Sequence, residues 1–300
     1  MKYGHIIVIL VSLSVACGPG ARHSGDDDDQ QGGGVDSAAC VSTGAEATPE
    51  TCSDVFDNDC DGLMDCTDPD CSGVGECPVC GEVATDEGTG IVLPDGIIGT
   101  TCSTDAQCSG STPNCIEKEC HDSYTSTLDV IGFGPNQLFD DTSIIESVCA
   151  VMEHSWMRDI EIRLVAPGGQ VVRLQKFLGR EGGEAYLGQA NDCDEGAPAA
   201  GTGDLYCWKP TATNPTMLEF ANNGTGMSSA PTCLGGTSPQ VPPGDYAAAD
   251  PWAQFMGTPL NGQWRFVVTD LWPIDNGYLF SWTIKFNANS VADCSGPIIL

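Results

Sequence analysis

The segment from residue 57 to residue 68 carries the densest group of side chains that could do chemistry. It reads Asp57-Asn58-Asp59-Cys60-Asp61-Gly62-Leu63-Met64-Asp65-Cys66-Thr67-Asp68. Counted from Asp57, carboxylates fall at positions 1, 3, 5, 9 and 12, and Gly62 at position 6 permits a sharp turn. In a calcium loop with this spacing, alternating residues direct oxygens at one hard divalent cation, which offsets the repulsion between the carboxylates. The pattern predicts a calcium site with these ligands: Asp57, Asp59, Asp61, Asp65, Asp68 and the backbone carbonyl of Leu63.

The loop and the residues before it resemble the MopE-type metal-binding motif of exported bacterial proteins. That motif has Glu-x-Cys followed by Asp-Asn-Asp-Cys-Asp-Gly, and this chain has Glu50-Thr51-Cys52 and then residues 57–62. No amphipathic helix flanks the loop, and Asp68 replaces the Glu that usually ends an EF-hand loop. Two alternatives stay open at this stage. The segment could be an acidic knot without metal, or Cys60 and Cys66 could bind a transition metal if they were not consumed by disulfides.

The 17 cysteines indicate a disulfide framework in an oxidising compartment. With Cys17 assigned to lipidation, 16 remain, of which 11 lie in residues 40–121 and 5 lie later. Both numbers are odd, so complete pairing within the chain requires at least one disulfide between the two regions; an intermolecular bond is the alternative. The set from Cys102 to Cys120 and the lone Cys77-x-x-Cys80 lack zinc or redox signatures, and we interpret both as scaffolding.

No catalytic residue is predicted. The mature chain has only three histidines, at positions 23, 121 and 154, and no G-x-S-x-G motif occurs. His154, beside Trp156 and ahead of a strand, is expected to be a structural hydrogen-bonding residue. Asp270 and Asp275 are interpreted as shaping a turn through local backbone bonds, with a second calcium site as the alternative.

The elements that must position these residues are short strands. Trp264, Phe266 and Val268 alternate with more polar residues, which predicts a strand with one buried face. Asn276-Gly277 predicts a type I′ turn, and the alternation from Phe280 to Phe286 predicts the return strand of a hairpin. Strands are also predicted at residues 144–151, 159–165 and 171–174, with a turn at 167–169. Such a series is typical of an all-β protein, a β-sandwich or jelly roll.

The strand motifs, in order, resemble the P domain (Homo B domain) of subtilisin-like proprotein convertases between residues 131 and 286. The resemblance rests on these features: Ile145-Glu-Ser-Val148, His154, Asp159 to Leu164, Pro167-Gly168, Leu174, Tyr206-Cys207-Trp208, Phe255-Met256-Gly257 and Gly262-Gln-Trp264. It implies a jelly-roll-like β-sandwich. The P domain normally follows a serine protease domain, but the catalytic residues of that family have no matching positions here. Protease activity is therefore not implied.

The N-terminal sequence predicts export. Residues 1–17 resemble a bacterial lipoprotein signal, with Ser14-Val15-Ala16-Cys17 as lipobox and Cys17 as the lipidated residue; an ordinary signal peptide cut nearby is the alternative. Residues 18–39 are predicted to be a disordered acidic linker, 40–122 a Cys-rich region with the calcium loop, and 123–300 the β-sandwich. The expected location is the bacterial cell envelope, anchored by lipid alone and most simply in the outer membrane, or the secreted fraction.

The formal net charge of −31 argues against nucleic acid and anionic lipid surfaces as partners and is compatible with cation binding. Three functions are compatible with these features. The first is an envelope-anchored lipoprotein whose sandwich binds a protein or glycan or acts as a spacer. The second is an accessory subunit that stabilises a separate subtilisin-like protease. The third is a hydrolase whose site the sequence does not reveal.

Overall fold

A computed structural model describes residues 40–75, 77, 80–94, 96, 98–179, 181–191, 198–291 and 294. The signal peptide, Cys17 and the linker to residue 39 lie outside these residues. Within the described chain, no helix is long and apolar enough to cross a membrane.

The described secondary structure is dominated by β-strands, as the sequence predicts. The strands are β1 (Glu82–Val92), β2 (Ile98–Thr101), β3 (Asn114–Ile116), β4 (Glu119–His121), β5 (Tyr124–Val130), β6 (Ile145–His154), β7 (Ile160–Val165), β8 (Val171–Gln175), β9 (Asp204–Trp208), β10 (Ser228–Thr232), β11 (Gly236–Gln240), β12 (Gly244–Tyr246), β13 (Gly262–Asp270) and β14 (Gly277–Phe286). The α-helix α1 (Met217–Asn223) has a capping box formed by Thr216 and Glu219. Short 3-10 helices lie at Thr51–Ser53, Asp65–Thr67, Pro69–Cys71, Asp105–Gln107, Thr142–Ile144, Met157–Asp159, Trp252–Phe255 and Ala288–Ser290.

Two sheets form a β-sandwich. One has the order β1-β14-β6-β9-β12 and the other β5-β13-β7-β8. The neighbours are antiparallel except β9 and β12, which run parallel. The smaller sheets β2-β4-β3 and β10-β11 lie outside this pair.

Aromatic side chains fill the space between the two sheets. The ring of Phe266 on β13 stacks on that of Trp282 on β14, with centroids 5.0 Å apart and planes 16° from parallel. Trp264 meets Phe286 edge-on at 5.6 Å. All four side chains are fully buried, so the core lies between β13 and β14.

The predicted hairpin from Trp264 to Phe286 is therefore wrong, although both of its strands exist. β13 pairs with β5 and β7, whereas β14 pairs with β1 and β6, so the connection crosses from one sheet to the other. The described left-handed residue of this connection is Ile274, with φ 98°, and not Asn276 or Gly277. Alternation shows which side chains of a strand are buried, and two strands that face each other across a core have the same pattern as two that pair.

The predictions for β6, β7 and β8 are confirmed. β7 and β8 form an antiparallel hairpin around the predicted turn, in which Gly169 has φ 85°. The inward positions Ile160, Ile162 and Leu164 are fully buried.

The outer face of the four-stranded sheet is buried as well, which the alternation did not predict. Val267 and Thr269 are 1% and 0% exposed, and the hydroxyl of Thr269 is hydrogen-bonded to that of Ser123 at 2.6 Å. Arg163 reaches from β7 into the cysteine-rich segment that contains β2, β3 and β4, where Nη2 donates to the carbonyl of Cys115 at 3.1 Å and Nη1 lies 3.6 Å from Asp105.

Every cysteine among the described residues is in a disulfide. Cys80–Cys294 joins the cysteine-rich region to the end of the sandwich, which confirms that a disulfide must cross between them. Strand β1 follows Cys80 directly and is the edge strand beside β14, so residues 82–92 of the predicted Cys-rich region belong to the sandwich sheet. The disulfides indicate an oxidising, extracytoplasmic compartment.

Candidate metal centre

Disulfides rather than a large core hold the acidic loop. The bonds Cys40–Cys60, Cys52–Cys71 and Cys66–Cys77 cross-link residues 40–77. The cysteines of the second and third of these bonds, with Val74, make up the small apolar cluster of this region. Cys60 and Cys66 lie in the loop itself, so neither can offer a thiolate to a metal.

The structure brings three of the predicted ligands together. Asp57, Asp59 and Asp61 place one carboxylate oxygen each within 4.8 Å of one another. Asp59 Oδ1 accepts from the N–H of Asp61 at 3.2 Å, and Asp61 Oδ1 accepts from the N–H of Leu63 at 2.8 Å. An ionised carboxylate has about four lone-pair sites, so these bonds leave acceptors for a cation.

Asp57 organises the turn of the loop. Its Oδ1 accepts from the N–H of Cys60 at 2.7 Å, and its Oδ2 accepts from the N–H of Gly62 at 3.0 Å. Gly62 has φ 99°, a conformation that L side chains rarely adopt. The glycine that the sequence pattern requires thus lies where the chain reverses.

Asp68 is buried and is influenced by the charges of Asp59 and Asp61. It is 1% exposed; Oδ1 accepts from the N–H of Asp70 at 2.7 Å, whereas Oδ2 is buried without a partner among the described residues. Burial raises the pKa of Asp68 to about 6; the charges of Asp61 and Asp59 add to the increase, and the N–H of Asp70 opposes it. A cation at Oδ2 would relieve both the burial cost and the repulsion.

Asp65 and Asp68 lie outside the group of three mutually close carboxylates. Asp65 Oδ1 accepts from the N–H of Val55 at 3.1 Å, and its backbone has φ 51°. Asp65 thus ties the loop to the preceding segment. Binding all six predicted ligands to one ion would require Asp65 and Asp68 to move toward the other three.

Sequence reasoning missed Glu46. This residue is 0% exposed, and its Oε1 accepts from the N–H of Asn58 at 3.0 Å, inside the loop. It lies upstream of the motif in a stretch without any recognisable pattern, so no sequence signal pointed to it.

The part of the chain around the acidic loop has no basic side chain of its own. The sequence has no Lys or Arg between residues 23 and 117, whereas the loop alone has five carboxylates. A divalent cation is the simplest partner for such a group.

The other candidate group does not have the chemistry of a metal site. The sulfurs of Cys102, Cys108 and Cys115 are close together, but they belong to the disulfides Cys102–Cys115 and Cys108–Cys120.

Asp270 is 1% exposed and uses both oxygens, Oδ2 toward His154 Nε2 at 3.1 Å and Oδ1 as acceptor of the Trp272 N–H at 3.1 Å. Its bond to the Trp272 N–H is the local backbone bond of a turn residue, and the second calcium site at Asp270 and Asp275 stays a prediction. Asp275 does not join Asp270 in any close group of ligands among the described residues.

No protein-family model matches the chain, and no curated protein matches it. Among solved structures, a "serine protease of Aeromonas sobria" is similar over 70% of this chain, with 13% identity and a TM-score of 0.23. The matched region spans 27% of that protein. This TM-score does not establish a common fold, so no property of the protease is transferred.

Proposed function

We propose that this protein is an extracytoplasmic binding protein whose loop at residues 57–68 holds a calcium ion. The observation that carries the proposal is the convergence of carboxylate oxygens of Asp57, Asp59 and Asp61 within 4.8 Å of one another. The same loop ends in Asp68, whose Oδ2 is buried without a partner among the described residues. Repulsion within such a group is costly unless a cation offsets it.

Calcium fits the donor set better than a transition metal. The available donors are carboxylate and carbonyl oxygens, which hard cations prefer, and the nearby sulfurs are oxidised. Calcium also accepts six to eight ligands in flexible geometry, which suits a loop in which Asp65 and Asp68 must adjust.

In this proposal the sandwich is a non-catalytic recognition module, and its ligand is a protein rather than a glycan. The lipobox resemblance supports lipidation of Cys17 and a location on the bacterial envelope. In that arrangement the disulfide-linked calcium region lies between the anchor and the sandwich in sequence.

Isothermal titration with calcium tests the site. Asp59→Asn is the informative variant, because Asp59 makes one long bond of 3.2 Å whereas Asp57 makes two shorter ones that hold the turn. Asp140→Asn, at an exposed position, is the matched control. We expect one calcium per wild-type chain, unchanged affinity in the control and at least about tenfold weaker binding in Asp59→Asn.

Calcium at about 100 times its Kd should also raise the free energy of unfolding by about 2.7 kcal/mol. Absence of calcium binding by the wild-type protein, or equal affinity of the Asp59→Asn variant, would reject the site.

A further inference from the structure

A groove of about 400 Å³ is lined by residues of the sandwich and of the cysteine-rich segment, none of which belongs to the acidic loop. One wall comes from the β3–β4 hairpin, and the other comes from the segment that links β13 to β14. The apolar part of its lining consists of Ile98, Phe177, Leu271, Trp272 and Pro273. This volume lies within the usual range of ligand sites, which are mostly apolar with a few polar groups that fix orientation.

The apolar wall is open to solvent. Trp272 is 46% exposed and Ile98 is 53% exposed, and Ile274, just beyond the groove, is 67% exposed. Exposed Trp side chains that gather with other apolar side chains around a groove are characteristic of binding surfaces.

The polar part of the groove is acidic. It consists of Glu117, Glu119 and His121, all on the β3–β4 hairpin. Among the described residues, no Lys or Arg lies within ion-pair distance of either glutamate. The positive charge of Arg173, on which Glu117 acts at longer range, is already held by Asp250 through Nε–Oδ2 at 2.6 Å.

His121 lines the groove without adding positive charge. It is 2% exposed, and its Nδ1 has no partner among the described residues. Burial lowers the pKa of His121, so the imidazole is neutral at pH 7 and does not oppose a cation in the groove.

The backbone of the hairpin turn places Glu117 and Glu119 at the tip of the β3–β4 hairpin. Glu117 and Lys118 have φ 50° and 72°, the left-handed conformation that a two-residue hairpin turn of this type requires at both central positions. Asn-Gly is the usual choice there, so this turn keeps a glutamate at a conformational cost.

We propose that this groove binds a peptide segment of another protein in which a basic side chain lies next to an apolar one. The apolar side chain would pack on Trp272, and the basic group would pair with Glu117 and Glu119. A glycan is less well matched, because the described lining has no amide or guanidinium group to pair with its hydroxyls. The inference rests on the proposed binding role of the sandwich but not on calcium.

The test is titration of the full mature protein with two acetylated, amidated peptides, Leu-Lys-Leu-Arg and its neutral analogue Leu-Gln-Leu-Gln, with chitohexaose as a glycan probe. We expect the basic peptide to bind about three- to tenfold more tightly than the neutral one, and less tightly as salt rises. Glu117→Gln/Glu119→Gln should weaken it about three- to tenfold, as expected for two exposed ion pairs. Trp272→Ala should weaken it about tenfold or more.

Asp140→Asn/Glu181→Gln removes the same charge at exposed positions and should leave binding unchanged. The inference is overturned if the basic peptide binds more weakly than about 1 mM, if both peptides bind equally, if chitohexaose alone binds, or if the groove variants bind like wild type. Calcium titration of the same samples separates the two proposals: calcium binding without peptide binding rejects the groove and leaves the metal site standing.

Discussion

His154 Nε2 lies 3.1 Å from Asp270 Oδ2, and this buried pair links β6 of one sheet to β13 of the other. The N–H of Trp156 donates a hydrogen bond to His154 Nδ1 at 2.9 Å, so Nδ1 is an acceptor. The N–H of His154 is therefore at Nε2 and donates its hydrogen bond to Asp270 Oδ2. The other oxygen of Asp270 accepts from the N–H of Trp272. Both oxygens of this carboxylate must therefore accept hydrogen bonds.

Asp270→Asn is expected to destabilise the protein, because an amide offers only one acceptor and would direct its NH₂ group at a donor. The cost should be about 2–3 kcal/mol, the range for a buried unsatisfied group. Asp140→Asn, at an exposed position, is the control and should cost less than about 1 kcal/mol. Urea unfolding of the three proteins measures both. Equal stability of Asp270→Asn and wild type would contradict the assigned hydrogen bonds.

His121 makes stability depend on pH in a predictable direction. Burial lowers its pKa below the ordinary value of 6.5, so the unfolded chain binds this proton more tightly than the folded protein. The stabilising contribution is complete above about pH 6.5 and is lost as the pH falls toward the folded pKa, with a slope of at most about 1.4 kcal/mol per pH unit.

Unfolding of wild type and His121→Gln between pH 5 and 8 measures this contribution as a difference, since the other titrating groups are common to both. We expect the stability advantage of wild type over the variant to grow with pH across that window. A constant difference would show that His121 has an unshifted pKa.

Much of the fold was predictable because a strand with one buried face has apolar residues at every second position of the sequence. The alternation at Ile160, Ile162 and Leu164 predicted β7 and its buried face. The cysteine count predicted a disulfide between the cysteine-rich region and the sandwich. The partner of β13 was not predictable, because facing and pairing strands share one pattern. Val267 and Thr269 are buried although they alternate with the core positions, and Thr269 bonds Ser123, 146 positions away in sequence, a contact that local alternation cannot predict.

In the candidate metal site, too, local features were predictable and those that depend on distant contacts were not. The spacing of Asp57, Asp59 and Asp61 revealed the group, because neighbouring loop residues meet through local geometry. Glu46 and the burial of Asp68 depend on how the disulfides fold the chain, and neither has a local signature.

Two tryptophans of the sandwich should differ sharply on truncation. Trp282 is fully buried and stacks on Phe266, so Trp282→Ala should cost about 3–5 kcal/mol. Trp272 is half-exposed, and Trp272→Ala should cost less than about 1 kcal/mol. Trp282→Phe should retain most of the stability, since the buried indole N–H has no partner among the described residues. Denaturant midpoints compare the three variants, and similar losses at positions 272 and 282 would contradict the assigned core.

The Cys80–Cys294 disulfide should be recovered as a cross-linked peptide pair in a non-reducing peptide map. Because it joins residues separated by 214 positions, Cys80→Ser/Cys294→Ser should lower the free energy of unfolding by about 2–4 kcal/mol through greater freedom of the unfolded chain. Cys149→Ser/Cys207→Ser, which removes a bond between the adjacent strands β6 and β9, is the comparison. A map in which Cys80 is linked elsewhere would contradict the connection between the two regions.

Asp68→Asn should have opposite effects with and without calcium. In excess chelator the substitution removes a buried charge whose Oδ2 has no partner among the described residues, so we expect stabilisation by about 1–2 kcal/mol. In saturating calcium the same substitution removes a ligand, so the variant should gain less from calcium than wild type does. Thermal unfolding of wild type, Asp68→Asn and the exposed control Asp140→Asn in both conditions measures the reversal. If Asp68→Asn stabilised the protein equally in chelator and in calcium, Asp68 would be a buried acid outside the metal site. Only the substitution of a ligand reduces the free energy of unfolding that bound calcium adds.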